Sequence, residues 1–475
     1  MKSSLLSILF SFVTILIVAQ TKSTTQVVLT MDEFTSMVRK YHPVAKQAEL
    51  RLENAEGFER ASRGAFDPKI EANLDEKFYK EKSYYSTTNA VLKLPTRSPL
   101  TLKAGYDLNN GTFLDPSENT PDDGLLAAGV SFPILQGLLT DERRTTLRIA
   151  QAFNEFSEAE RKAIYNDLMF EAYGAYWNWY ASFQKRIVAE EMLGIAATRF
   201  EAIKQRALAG DRPFIDTVEA FLQVQLRTQQ VFDANTVEVK SRFFLSGFLW
   251  YDDENASLPT GMIISDITTP ELPTGTPPAE LASINRNDLL QIIYEQHPEI
   301  MAYNAKMDQL EAEERWKREK LKPKLDLEYN VLSTGAISAE DATFSTRNYK
   351  WGLSFSFPIF LREARGELQM QRVKILDNQY LQDMKAISLA TKANAAFINW
   401  GNINSQLSVA RNNVTNYATL LEAERTRFFN GESSLFLVNA REMALADARN
   451  KLVDLEAKLE MATIEVRYLL GRLAQ

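Results

Sequence analysis

The chain has 475 residues, 24% of them charged and 45% apolar, with a formal charge of −8, two histidines and no cysteine. Disulfides, thiolate metal sites, a CxxC redox pair and a lipid-bearing N-terminal cysteine are excluded, and the acidic balance argues against a broad nucleic-acid surface. Nineteen glycines and sixteen prolines are few for this length and favour long uninterrupted elements.

The first residues read MKSSLLSILFSFVTILIVA: one lysine, an apolar run from Leu5 to Val18, then polar residues from Gln20. Residues 1–20 are expected to be a secretory signal peptide. No other stretch approaches the ~20 apolar residues of a spanning helix. An exported chain of this kind is free in solution, periplasmic, or enters a membrane as a β-barrel.

Two regions then repeat one another. HPVAKQAEL from His42 and HPEIMAYNA from His297 each open a charged helical stretch, and Pro68 and Pro323 follow at the same distance. In each region a proline within GVSFPI (Gly129 to Ile134) or LSFSFPI (Leu353 to Ile359) comes next. Trp179 corresponds to Trp400, and Gly210 to Gly431, with equal separation. The first copy is about 30 residues longer before Pro133. We expect a first unit over 21–251, with strands within 66–134, and a second over 285–475, with strands within 323–360. Between them 252–284 holds five of the sixteen prolines and reads as a linker.

Within each unit the order reads helix, strands, very long helix, break, helix. Lys69 to Phe78, Leu100 to Leu108, Leu325 to Val331 and Tyr349 to Phe357 alternate apolar and polar residues, the period of a strand. About four strong strands are too few to close a barrel within one chain. The long helices run from Glu142 to Ala209 and from Arg362 to Phe429. The second carries apolar residues at 3-4 spacing from Ala386 to Phe428, broken only by Glu424. Each is about 100 Å long at 1.5 Å per residue, so the molecule is elongated.

Glycine breaks end both long helices: AGDRPFIDTVEA (Ala209 to Ala220) and NGESSLFLVNA (Asn430 to Ala440). Pro213 can start the helix after the first break. Each of His42 and His297 precedes a proline; a helix start explains them better than a metal site. Trp179, within YWNWY, is expected in the core with Trp400. Phe78, Tyr79, Tyr84, Tyr85, Tyr349 and Trp351 suit an interfacial girdle but equally any exposed strand. GxGxxG, P-loop and GxSxG patterns are absent and no catalytic constellation occurs, so no enzyme activity, cofactor or bound metal is expected.

With its duplication, its KWGLSFSFPIF segment (Lys350 to Phe360), the matching AAGVSFPIL and the two glycine breaks, the mature chain resembles the TolC-like outer membrane efflux proteins. The resemblance implies a mainly α fold with a membrane β-barrel portion: a homotrimer with a hollow α-barrel and a shared twelve-stranded β-barrel, four strands per chain, held in outer-membrane lipid. The linker and C-terminal end would form a belt around the tube. Partners would be a periplasmic adaptor and an inner-membrane pump, and no nucleic acid. The function implied is a passive exit duct of a tripartite efflux pump or type I secretion system. The periplasmic tips would carry the gate and adaptor contacts: Gly210, Asp211, Arg212, Pro213 and Asp216 at the first, Phe428, Gly431, Glu432, Ser433, Ser434 and Leu437 at the second. Asp216 falls where relatives often place an aspartate. Leu437 and Ala440 stand where some relatives carry two more, so the second tip departs from that pattern and its gate is expected to be more apolar. The alternative function is a periplasmic coiled-coil adaptor or scaffold.

Overall fold

The structure, a computed structural model, describes residues 27–252, 260–265, 268–273, 279–334 and 344–474. The expected signal segment, 1–20, and parts of the expected linker lie outside the described residues.

The chain begins with a short strand, β1 (Val27–Leu29), and two helices, α1 (Met31–Tyr41) and α2 (Pro43–Arg63). Thr30 and Glu33 form a capping box at the start of α1. Four strands follow: β2 (Lys69–Tyr79), β3 (Lys82–Pro95), β4 (Thr101–Asn110) and β5 (Leu125–Pro133). The long helix α3 (Glu142–Leu208) and its return α4 (Phe214–Ser246) complete the first half. Short elements lead on: β6 (Trp250–Tyr251), β7 (Thr260–Gly261), β8 (Thr268–Pro270), α5 (Ala279–Ala282) and α6 (Leu289–Gln296). The second half has α7 (Pro298–Glu319), β9 (Lys324–Thr334), β10 (Tyr349–Ser356), α8 (Arg362–Phe429) and α9 (Leu435–Leu469). No described helix is long and apolar enough to cross a membrane.

His42 and His297 are helix caps. Nδ1 of His42 accepts from the Val44 amide at 3.2 Å, and Nδ1 of His297 from the Glu299 amide at 3.3 Å, each with proline at the first helical position. Burial lowers both imidazoles, His297 to about 4.

The 67 residues of α3 and 68 of α8 stay straight-run helices because a narrow seam along each is packed. Along α8 the expected seam from Ala386 to Phe428 is buried except at Trp400, Val414 and Tyr417. The seam of α3 centres on Trp179, fully buried, whose Nε1 donates to Glu238 of α4 at 3.2 Å. Near the helix tips the contacts run α4–α3–α9–α8; toward the strands they run α2–α3–α7–α8. The helices thus form one layer, four wide, with α8 on one edge and α2 and α4 on the other. Exposed apolar residues mark both edges: Val373, Tyr380, Met384 and Ile387 on α8, and Val218, Phe221, Phe232 and Phe243 on α4.

Halfway along α3, Tyr176 ties the start of the first half to the segment that joins the two halves. Its hydroxyl donates to the Leu29 carbonyl at 2.7 Å and accepts from the Glu271 amide at 2.8 Å, while β1 pairs in parallel with β8. At the C-terminal end Arg39 donates to the Leu473 carbonyl, and the Asn166 side chain bridges Tyr468 and Leu473.

The strands form one antiparallel sheet of six, in the order β10-β9-β5-β4-β3-β2. This corrects the expectation of four strands per chain. By sequence alignment of the two halves, β2 matches β9 and β5 matches β10, so β3 and β4 are an inserted hairpin and account for the longer first copy. Lys80 and Glu81 turn β2 into β3 with both residues at positive φ, 49° and 58°, a tight turn usually carried by Asn or Gly.

One face of the sheet is apolar over its helix-proximal and central rows and turns polar only toward the far end, at Glu76, Ser86, Thr88, Asn110 and Ser333. Tyr349, Val331, Ala128, Ala104, Leu92 and Ile70 lie in one directly paired row across all six strands. Trp351, Tyr329, Val130, Leu102 and Leu94 form the next. This face is uncovered: Ile70 is 79% exposed, Leu74 76% and Phe355 67%. The opposite face is charged. Its central row reads Lys350, Asn330, Gly129, Lys103, Lys93 and Lys69, with Lys93 paired to Glu71 at 2.6 Å and Lys103 to Glu328 at 2.9 Å.

Candidate functional site

The far ends of the helices from the sheet hold the sequence-predicted tip residues. Both turns are built alike. The Gly210 amide donates to the Ala207 carbonyl at 3.1 Å and the Asp211 amide to Arg206 at 2.9 Å; Gly431 and Glu432 do the same to Phe428 and Arg427 at 3.1 and 2.8 Å. Gly210 and Gly431 both have φ of 82°. These are Schellman caps, which satisfy the last helix carbonyls and need a left-handed residue.

The next helices start differently. Pro213 occupies the cap position before α4, one residue earlier than a helical first turn, and Phe214 begins the helix. Ser434 caps α9 by accepting from the Leu437 amide. Ser433 donates at 2.5 Å to Glu424, the one acidic residue on the α8 seam, which is 5% exposed. Sequence reading treated Glu424 as a seam defect; here it anchors the turn.

Arg212 joins the two tips. Its guanidinium donates to the Phe428 carbonyl at 3.2 Å, stacks over the Phe428 ring at 4.5 Å and lies 3.8 Å from Asp216. Asp216 is therefore partly neutralised within its own chain. Phe428 is buried at 4% exposure and faces the space between the hairpins, whereas Phe214, Ile215 and Phe436 are about as exposed as side chains here become, at 74%, 68% and 71%. Leu437 is 39% exposed.

Just behind the tips, α3, α8 and α9 enclose a cavity of about 650 Å³ lined by Arg199, Arg206, Arg425, Phe428, Phe429 and Glu442 among others. Glu442, 2% exposed, lies 2.5 Å from Arg199 of α3 and 3.1 Å from Arg425 of α8. Arg227 of α4 is also buried; desolvation lowers its guanidinium pKa, while the charge of Glu442 counters that shift. One carboxylate thus pairs with cations from two other helices, and its charge acts on a third cation, Arg227, whose side chain bonds Gln230. Sequence reading missed this cluster. The only signal was Glu442 interrupting the apolar spacing of Val438 and Leu445 on α9.

Among the described residues no cluster of three or more His, Asp or Glu is arranged to hold a metal. The aromatic girdle candidates are divided: Tyr79 and Tyr84 meet at the end of the β2–β3 hairpin, rings 6.1 Å apart, Tyr349 stacks on Tyr329, and Tyr85 falls on the charged face opposite Lys77.

Residues 289–472 match the model of the outer membrane efflux protein family. No curated protein matches the sequence. Solved structures do resemble the fold. The outer membrane channel CmeC of Campylobacter jejuni is 14% identical, with a TM-score of 0.59 over 93% of this chain and 85% of that one. The outer membrane protein VceC of Vibrio cholerae is 12% identical, with a TM-score of 0.61 over 93% and 95%. The MtrE outer membrane channel of Neisseria gonorrhoeae, solved in an open state, is 13% identical, with a TM-score of 0.61 over 93% and 90%. At these identities the likeness is one of fold. The second half of the chain, residues 289–472, thus resembles the outer membrane efflux proteins in sequence, and more than nine-tenths of the chain shares the fold of these solved outer-membrane proteins.

Proposed function

We propose that this chain is the outer-membrane exit duct of a tripartite efflux pump or type I secretion system, a passive conduit that works as a homotrimer. The observation that carries this reading is the six-stranded apolar face, uncovered, at one end of a helical layer about 100 Å long. Such a face is stable in lipid, where the charged face opposite lines water. The adaptor or scaffold alternative leaves that face without cover.

The exposed apolar edges of α4 and α8 support assembly, since head-to-tail copies would bury each against the other and close into a ring. In this reading residues 21–251 and 285–475 are duplicate units joined by 252–284, residues 1–20 direct export, and the sheet sits in the outer membrane with the helices in the periplasm. The tips, Gly210 to Asp216 and Phe428 to Leu437, close the tube and meet an adaptor, and Phe214, Ile215 and Phe436 offer the contact surface. The Arg199–Glu442–Arg425 cluster holds the two hairpins of a chain together in the closed state.

Membrane fractionation tests this. The expected result is a detergent-extracted trimer in the outer-membrane fraction that conducts ions in planar bilayers. A monomer in the soluble periplasmic fraction would overturn it.

A further inference from the structure

The sheet has two open edges. Among the described residues no strand pairs with the outer side of β2 or of β10. Both are long, 11 and 8 residues, and exposed along their whole length. In lipid an unpaired edge leaves backbone amides and carbonyls with no partner, so a sheet that enters a membrane must close.

We infer that β2 of one copy pairs antiparallel with β10 of the next, with the inserted β3–β4 hairpin kept inside the wall, so that the membrane barrel has eighteen strands. This rests on the trimeric duct proposed above and adds the strand count, the partner edge and the bore. Six strands per chain in three chains make eighteen.

Four observations support it. First, β3 and β4 are hydrogen-bonded on both sides, β3 to β2 and β4 to β5, over ten or more residue pairs on one side and seven on the other. A hairpin folded out over the barrel would be paired on neither flank. Second, the apolar rows pass through the hairpin without interruption: Leu92 and Ala104 stand between Ile70 and Ala128 in one row, Ala90 and Tyr106 between Ala72 and Leu126 in another. Third, the directions match. β2 runs away from the helices and β10 runs toward them, so their juxtaposition is antiparallel, and α2 and α4 lie on the β2 side while α8 continues from β10. Fourth, the circumferences agree. At about 4.8 Å per strand and a tilt near 40°, eighteen strands make a cylinder about 110 Å around and twelve about 75 Å. Four helices per chain at about 9 Å spacing make a twelve-helix ring of about 110 Å.

The mouth is then about 1.5 times as wide as twelve strands would leave it, since diameter grows with strand number. Bulky cargo that clears the helical tube meets no narrower ring in the membrane.

The chain has no native cysteine, which makes disulfide trapping direct. Asn73→Cys in β2 is combined in turn with Lys350→Cys, Gly352→Cys and Ser354→Cys in β10, all on the charged face, in the full-length protein in its membrane. A separate pair, Asn73→Cys with Ala127→Cys, places cysteines three strands apart, about 14 Å, beyond disulfide reach. The expected result is an oxidant-dependent ladder of covalent dimer and trimer for one β2–β10 register, and no bond between positions 73 and 127. An intrachain 73–127 bond would show β2 against β5 with the hairpin displaced, and would overturn the inference. So would a stable trimer with no intermolecular bond in any register. A chain found as a monomer before oxidation would overturn the trimeric duct as well. The positive control, Asn73→Cys with Asn89→Cys, joins directly paired residues and must form within the chain.

Discussion

Replacing Glu442 with alanine removes the charge that holds the two hairpins together behind the tips. In the folded chain its carboxylate is 2% exposed and contacts Arg199 at 2.5 Å and Arg425 at 3.1 Å. Arg199 is itself largely buried, with 11% of its side chain exposed. Cutting one partner from a buried pair leaves the other charge uncompensated and costs about 3–5 kcal/mol. Here the neighbouring buried Arg227 adds repulsion among the arginines left behind. In the duct proposed above the cost falls on the closed arrangement of α3, α8 and α9, because separating the hairpins lets the arginines reach water. At about 1.4 kcal/mol per factor of ten, the open population rises by about two to three and a half powers of ten. Two readouts follow it: tryptic cleavage at Arg206 and Arg427, and the conductance of single trimers in planar bilayers. Both are expected to rise sharply in Glu442→Ala. Glu442→Gln, which keeps the shape and one acceptor, is expected to fall between it and the unaltered protein. The pair is buried, so the difference persists at high salt, unlike that of an exposed pair. Cleavage and conductance within twofold of the unaltered protein would refute the latch.

Trp179→Ala is expected to cost about 3–5 kcal/mol, because the ring is fully buried and its Nε1 bonds Glu238. Trp400→Ala, at the corresponding but only partly buried position, should lower the melting temperature of the detergent-solubilised trimer distinctly less; equal losses would contradict the packing described. His297 is neutral in the fold with its pKa lowered from 6.5 to about 4. Because the unfolded chain takes up that proton first, stability is full above pH 6.5 and falls by about 3 kcal/mol as pH drops to about 4. Melting curves over that range should show the decline, and His297→Asn, which retains a capping acceptor, should remove most of it. Gly210→Ala and Gly431→Ala each meet open space but force a left-handed alanine at φ of 82°. Each should cost about 1–2 kcal/mol, read as faster amide exchange confined to its own tip, and a loss at the sheet end would show the reasoning to be wrong.

Much of the helical layer was legible because its seams repeat over many turns. A 3-4 pattern sustained from Ala386 to Phe428 has few other solutions. The strands were legible where alternation was strong, as in β2, β4, β9 and β10. β3 was not, since Ser86, Thr87, Thr88 and Asn89 give it no apolar contrast and Lys80-Glu81 lacks the glycine or asparagine that usually signals a two-residue turn. β5 carries Leu125, Ala127 and Gly129 on its polar side, which blurs the period. At the tips the glycines could be read because backbone geometry is local. The Glu442 cluster could not, because its four charged residues come from four helices and only packing brings them together.

The inserted hairpin separates two dimensions of the molecule. A wall whose strands must leave and re-enter the helical layer on the same side can change width only by an even number of strands. β3 and β4 are the smallest such increment. They alter the sheet while α3, α4, α8 and α9 keep their number, lengths and partners. In the eighteen-stranded barrel inferred above, the bore at the membrane and the bore of the rod-lined passage are therefore encoded by different stretches of sequence, and one can be re-dimensioned, in evolution or by engineering, without rewriting the other.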